Sequence, residues 1–178
     1  MPPVGEFIEA VKANPDAAHI TFRARSSWDG GTRSKVTVTE FLSDGKPASP
    51  TGRKFELTVD EPGVLGGTDR SPNPVEYVAA GLCGCITAGI ATNAELFGVA
   101  LESLEVDVDM DFDVIGLLAV DRKVQTGATG IRYTVRLKGK DGVSAAQLEK
   151  CKTVIDGKSP VRNTLAAGTP LTTSVEVG

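Results

Sequence analysis

A chain of 178 residues is long enough for one ordinary domain with a real hydrophobic core. Its composition, 40% hydrophobic and 24% charged, is average globular usage and excludes fibrous and disordered classes. The net charge of −4 argues against a general nucleic-acid binder, because no basic excess exists to neutralise phosphates.

In chain order, the opening residues M-P-P-V-G-E-F-I-E-A-V lack a basic segment followed by an apolar one and do not read as a secretion signal. Val4, Phe7, Ile8 and Val11 show helical spacing, which predicts a helix over 3–13 ended by Asn14-Pro15-Asp16. From Ile20 to Trp28 the pattern alternates like a strand, and Asp29-Gly30-Gly31 turns it into a second alternating strand, T-R-S-K-V-T-V-T-E-F. A loop rich in Gly, Pro and Ser over 43–52 precedes a short strand, K-F-E-L-T-V. The Gly-rich stretch D-E-P-G-V-L-G-G-T-D-R lacks the pattern of a phosphate loop.

The segment from Ser71 to Gly98 is the most informative. Asn73 is placed to cap a helix, Pro74 suits the first helical position, and Glu76 has capping-box spacing from Asn73. Beyond it apolar residues fall on nearly every face, and glycines at 81, 84 and 89 let other backbone approach closely. Such a helix is expected to be buried on all sides. A membrane span is the rival explanation. Thr87, Thr92 and Asn93 interrupt the run, and it lacks flanking aromatic and basic anchors, so no membrane is expected.

After this helix, Leu104, Val106, Val108, Met110 and Phe112 alternate with Glu105, Asp107, Asp109, Asp111 and Asp113. An acidic row of this kind either faces water or binds divalent cations, and the solvated face is the commoner case. A short turn I-G-L-L-A-V-D, a strand G-I-R-Y-T-V-R-L, an amphipathic helix over 144–156, the motif K-S-P-V-R-N-T-L and a closing strand L-T-T-S-V-E-V complete the order. No repeat or linker divides the chain, so a single α+β domain over 1–178 is expected.

Three cysteines make an odd count without zinc-site spacing, and the single histidine, His19, cannot build a histidine metal site. No metal and no cofactor are therefore expected. Cys83 and Cys85 project about 200° apart around a helix axis and cannot pair there. Cys151 lies between Lys150 and Lys152, which suggests a surface-facing or half-buried thiol. Free thiols fit a cytoplasmic location.

The run N-P-V-E-Y-V-A-A-G-L-C-G-C resembles the active-site helix of the osmotically inducible protein C and organic hydroperoxide resistance (OsmC/Ohr) family. The resemblance extends over roughly 18–178 and leaves the 3–13 helix outside it. It implies an OsmC-like fold, with antiparallel sheets wrapped around a buried central helix in an intertwined homodimer. It also implies thiol-dependent reduction of hydroperoxides, with the family's reactive cysteine at Cys85. An arginine of the first hairpin stabilises the thiolate in that family, and Arg33 is similar in position; Arg53 and Arg70 are less fitting substitutes. Glu76 is the candidate for the family's orienting acid. It sits one position later than in the Ohr pattern, where this chain has Val75, and about 180° around the helix from Cys85. Where the family commonly has Cys-Pro-Val, with a resolving cysteine, this chain has Ser159-Pro160-Val161.

Two functions follow as expectations. One is a single-cysteine thiol peroxidase acting on a small hydroperoxide or other electrophile, which needs an external thiol to resolve it. The other is a non-catalytic module that holds a small apolar ligand on the same fold.

Overall fold

The computed structural model describes residues 4–177, and the chain divides into two compact units, one up to Pro74 and one from Val75 onward. The first unit opens with helix α1 (Val4–Ala13); Pro3, where the expected helix begins, lies outside the described residues. A 3-10 turn over Pro15–Ala18 follows.

The alternating run from Ile20 is not one strand. Strand β1 (Ile20–Thr21) ends at Phe22-Arg23, and strand β2 (Ala24–Trp28) joins a different sheet. The expected loop contains a small hairpin of β4 (Leu42–Ser43) and β5 (Lys46–Pro47), to which β1 adds antiparallel. Asp44 and Gly45, both at positive φ, make its tight turn, which suits an Asp-Gly pair. The larger sheet has the order β2–β3–β6, with β3 (Ser34–Val38) between β2 and β6 (Phe55–Val59).

The second unit is built on helix α2 (Pro74–Leu96). Leu82, Ile86, Ile90 and Ala94, spaced by four, form its buried stripe. Burying each of the larger three is worth roughly 1.5–3 kcal/mol. The stripe packs with Leu104, Val106 and Val108 of β7 (Leu101–Asp111) and with Tyr133, Val135 and Leu137 of β8 (Gly130–Gly139), which pair antiparallel. Ala80, Gly81, Gly84, Ala88 and Ala91 lie exposed on another face of α2 within this chain. By length and composition α2 could also cross a bilayer.

The acidic face of β7 is exposed and meets basic side chains across the ladder. Arg132 pairs with Asp109 at 3.2 Å and with Asp111, Arg136 pairs with Asp107, and Lys138 pairs with Glu102 at 2.6 Å. These exposed pairs are worth little individually. Among the described residues no cluster of three or more His, Cys, Asp or Glu side chains could hold a metal ion. After β7, the Asp113 side chain accepts from the Ile115 amide at 2.8 Å and starts the short helix α3 (Val114–Leu117).

Helix α4 (Ala145–Lys158) begins with a capping box between Ser144 and Gln147 and runs antiparallel to α2. The two helices meet at three successive levels: Cys85 with Ser159, Gly89 with Ile155, and Asn93 with Cys151. Gly89 permits the close approach, since a Cβ there would lie 2.1 Å from Ile155 Cδ1. Gly89→Val is accordingly expected to destabilise the protein by about 2 kcal/mol through overpacking, read as a lower denaturation midpoint.

Two further expectations do not hold in the structure. Cys151 is fully buried, and not surface-facing, because Leu148, Cys151 and Ile155 share the inner side of α4. The segment L-T-T-S-V-E-V forms no strand: α5 (Pro160–Ala167) ends at Gly168 in the left-handed conformation, and the residues beyond it have no ladder partner among the described residues. Leu171, Val175 and Val177 stay more than 80% exposed, so the alternating pattern has no edge to complete it.

Candidate active site

Cys85 sits on the side of α2 facing the junction of α4 and α5. That junction follows from K-S-P-V-R. Ser159 closes α4 through its amide, which donates to the Ile155 carbonyl at 2.8 Å. Pro160 then occupies the first position of α5, where its missing N–H costs nothing. The fully buried Ser159 hydroxyl accepts from the Arg162 amide at 3.2 Å as the α5 N-cap. The same oxygen lies 3.1 Å from Cys85 Sγ. Since the Arg162 amide is the donor in the cap, the Ser159 hydroxyl hydrogen is free to point at the sulfur. A hydroxyl so placed can donate to a thiolate and hold it in one orientation.

The other two thiols are occupied differently. Cys83 Sγ approaches the Val106 carbonyl of β7 at 3.5 Å. Cys151 is sealed in the core, and its burial pushes the thiol up from its ordinary pKa. The helix register also separates Cys151 from Cys85. Cys151 lies at the level of Asn93, eight residues or about 12 Å along α2 from Cys85. A disulfide needs Cα atoms within about 7 Å, so Cys151 cannot pair with Cys85 in this arrangement.

Glu76 lies on the first turn of α2, nine residues or about 13 Å along the axis from Cys85. It is exposed and does not meet the sulfur. Arg33 belongs to the first unit. It closes the β2–β3 hairpin, with Gly30 and Gly31 at φ +88° and +56°, and its Nη2 donates to the Asp29 carbonyl at 3.1 Å. It lines a cleft of about 360 Å³ with Gly30, Thr32, Asp60, Gly66 and Thr68.

Asp60 organises that cleft and was not singled out by its sequence context. It is 1% exposed. Its Oδ1 accepts from Thr32 Oγ1 and the Glu61 amide, both at 2.9 Å. Its Oδ2 accepts from Thr68 Oγ1 at 2.5 Å and from the amides of Thr68 and Arg70 at 3.1 and 3.3 Å. The Thr68 hydroxyl, with the Glu61 amide, Thr32 and the Arg70 amide, holds the carboxyl well below the usual aspartate range against the opposing cost of burial. The readable signal was D-E-P-G-V-L-G-G-T: an acid followed by a turn rich in amide donors.

A carboxyl depressed by folding stabilises the protein fully above its unfolded pKa of about 3.9, and that stabilisation is lost as pH falls below it. Asp60→Asn is therefore expected to be less stable than the parent at pH 7, with the gap narrowing between about pH 4 and pH 2. Urea denaturation across that range checks it; a gap independent of pH would contradict this account.

A family model described as OsmC-like protein matches residues 67–174, more than half of the chain. No curated protein matches. Among solved structures, an OsmC-like protein from Mycoplasma pneumoniae has a TM-score of 0.57 at 16% identity, over 84% of this chain and 88% of its own. An OsmC-like protein of unknown function from Vibrio cholerae has a TM-score of 0.55 at 17% identity, over 81% and 92%. An organic hydroperoxide resistance protein OsmC from Legionella pneumophila has a TM-score of 0.50 at 21% identity, over 83% and 90%. At these identities the likeness establishes a shared α+β fold with antiparallel sheets.

Proposed function

This chain belongs to the OsmC-like protein family, and we propose that it reduces small organic hydroperoxides, or related electrophiles, through the single thiol of Cys85. The observation that carries the proposal is the contact between Cys85 Sγ and Ser159 Oγ at 3.1 Å. It sets the cysteine of the family-like helix against the one position where the family commonly has its resolving thiol.

The thiolate of Cys85 attacks the terminal peroxide oxygen, the O–O bond breaks, and an alkoxide leaves and takes a proton from water. Sulfur is oxidised by two electrons to the sulfenic acid. Ser159 cannot form a disulfide, so a small external thiol condenses with the sulfenic acid and releases water. A second external thiol then attacks the mixed disulfide and returns Cys85 to its reduced form. In this scheme the Ser159 hydroxyl orients the sulfur, Arg33 supplies the thiolate-stabilising cation of the family pattern, and Glu76 is its orienting acid.

We further propose that the working form is an intertwined homodimer in which α2 is buried on all sides. The exposed Ala80, Gly81, Gly84, Ala88 and Ala91 face gives a second backbone room to approach, which supports this. So do the large apolar side chains left exposed in a single copy, among them Trp28 at 79% and Phe22 at 74%. A cytoplasmic setting with a reduced thiol pool suits this chemistry, with no cofactor, nucleic acid or membrane involved.

The decisive experiment is a stoichiometric pulse of cumene hydroperoxide with a sulfenic-acid trap, followed by intact mass and peptide mapping. The adduct is expected on Cys85 alone. No modification of Cys85 would sink the peroxidase and leave the ligand-binding module as the function of this fold.

A further inference from the structure

Arg162 is a cation in an unusual place. It sits in the first turn of α5, where the helix dipole disfavours positive charge. It is half-buried, yet it has no carboxylate partner among the described residues. Its guanidinium donates to the side-chain oxygen of Asn163 at 3.3 Å and interacts with the Tyr133 phenol. Asp156, the acid bonded to that phenol, is already engaged: it accepts from the Tyr133 hydroxyl at 2.6 Å and pairs with Lys152 at 2.5 Å. A half-buried cation with no direct carboxylate partner, beside a positive helix end, is placed to take an anion from outside.

The space to receive one is present. Arg162 and Tyr133 form the polar end of a pocket of about 230 Å³ whose other walls are Leu82, Ile131, Leu165 and Ala166. All six residues lie in the second unit. The volume is below the roughly 300–1,000 Å³ of drug-sized sites, which limits the occupant to a short chain or a single ring. Four apolar walls and one guanidinium select an anion with an apolar body. Guanidinium and carboxylate match as planar forks, so a carboxylate is the fitting anion.

We propose that this pocket binds small apolar carboxylates, with Arg162 pairing the carboxylate and Leu82, Ile131, Leu165 and Ala166 covering the hydrocarbon. The site is separate from the thiol chemistry proposed for Cys85 and does not depend on it. It lies close to that thiol all the same: Leu82 is three residues before Cys85 on α2, and the Arg162 amide caps on the serine that touches the sulfur.

The test is calorimetric titration of the reduced protein with hexanoate, and with hexanol as the uncharged control of the same length. Hexanoate is expected to bind saturably and at least about tenfold more tightly than hexanol. Arg162→Gln is expected to abolish that difference while leaving hexanol binding in place. Equal binding of the two compounds to the parent protein overturns the proposal, as does an unchanged hexanoate affinity in the variant. Should Arg162→Gln fail to fold, the Arg162 Nε–H resonance in the parent decides. A shift on adding hexanoate but not hexanol supports the site, and no shift overturns it. The Cys85 adduct is scored in a separate experiment, so either proposal can fail alone.

Discussion

Ser159→Cys is expected to give this protein an internal resolving step. In the parent, the proposed mechanism has oxidation of Cys85 end at a sulfenic acid that waits for a thiol from solution. The substitution puts a second sulfur where an oxygen now stands 3.1 Å from Cys85 Sγ. Bond formation then requires an approach of about 1 Å, since an S–S bond is about 2.05 Å long. The sulfenic acid condenses with the new thiol and one water leaves. After one equivalent of cumene hydroperoxide, the variant should lose two hydrogens in mass, and trapping by a sulfenic-acid reagent should vanish. A dithiol reductant should then sustain turnover. The bridge would also close a loop of 74 residues. In the chain-entropy model that is worth about 4 kcal/mol of stability, less any strain. The oxidised variant should therefore melt well above its reduced form. A variant that stays in the sulfenic state would show that the two side chains do not meet in solution.

That contact joins residues 74 apart through helix packing, so no local pattern shows it, and only the resemblance, which puts the resolving position at Ser159, pointed to it. The helix itself was legible: Asn73-Pro74 at its start, a run of small and apolar residues with no further proline, and Gly98 just beyond its end mark it. So was β7, since Leu104 through Met110 alternate without error over one partner strand. The run from Ile20 to Trp28 alternates as well, but the chain changes sheets at Phe22-Arg23, and side-chain period carries no record of which edge a strand joins. The closing L-T-T-S-V-E-V fails for a related reason: alternation describes a face, while a strand also needs an edge. Cys151 is a different kind of miss. Its lysine neighbours suggested exposure, but adjacent helix residues point about 100° apart and say little about each other's face. The informative spacing was Leu148, Cys151, Ile155, an inward stripe that was present in the sequence.

Replacing Cys85 with serine is expected to reduce hydroperoxide consumption to the uncatalysed background, whereas Cys83→Ser and Cys151→Ala should both retain it. The asymmetry follows from where each sulfur lies. A nucleophilic thiol must be ionised and reached by the peroxide. Cys151 is fully buried, and desolvation holds its thiol in the protonated form. Cys83 points toward the Val106 carbonyl of β7, away from the Ser159 hydroxyl. Cys85 alone faces a hydroxyl whose hydrogen is free to stabilise negative charge on sulfur. Cys151→Ala carries a stability cost of about 1–2 kcal/mol from the cavity it leaves, so its activity must be measured well below its melting temperature. Loss of activity in Cys83→Ser with retention in Cys85→Ser would move the chemistry to the opposite side of α2. Ser159 would then be a helix cap and nothing more.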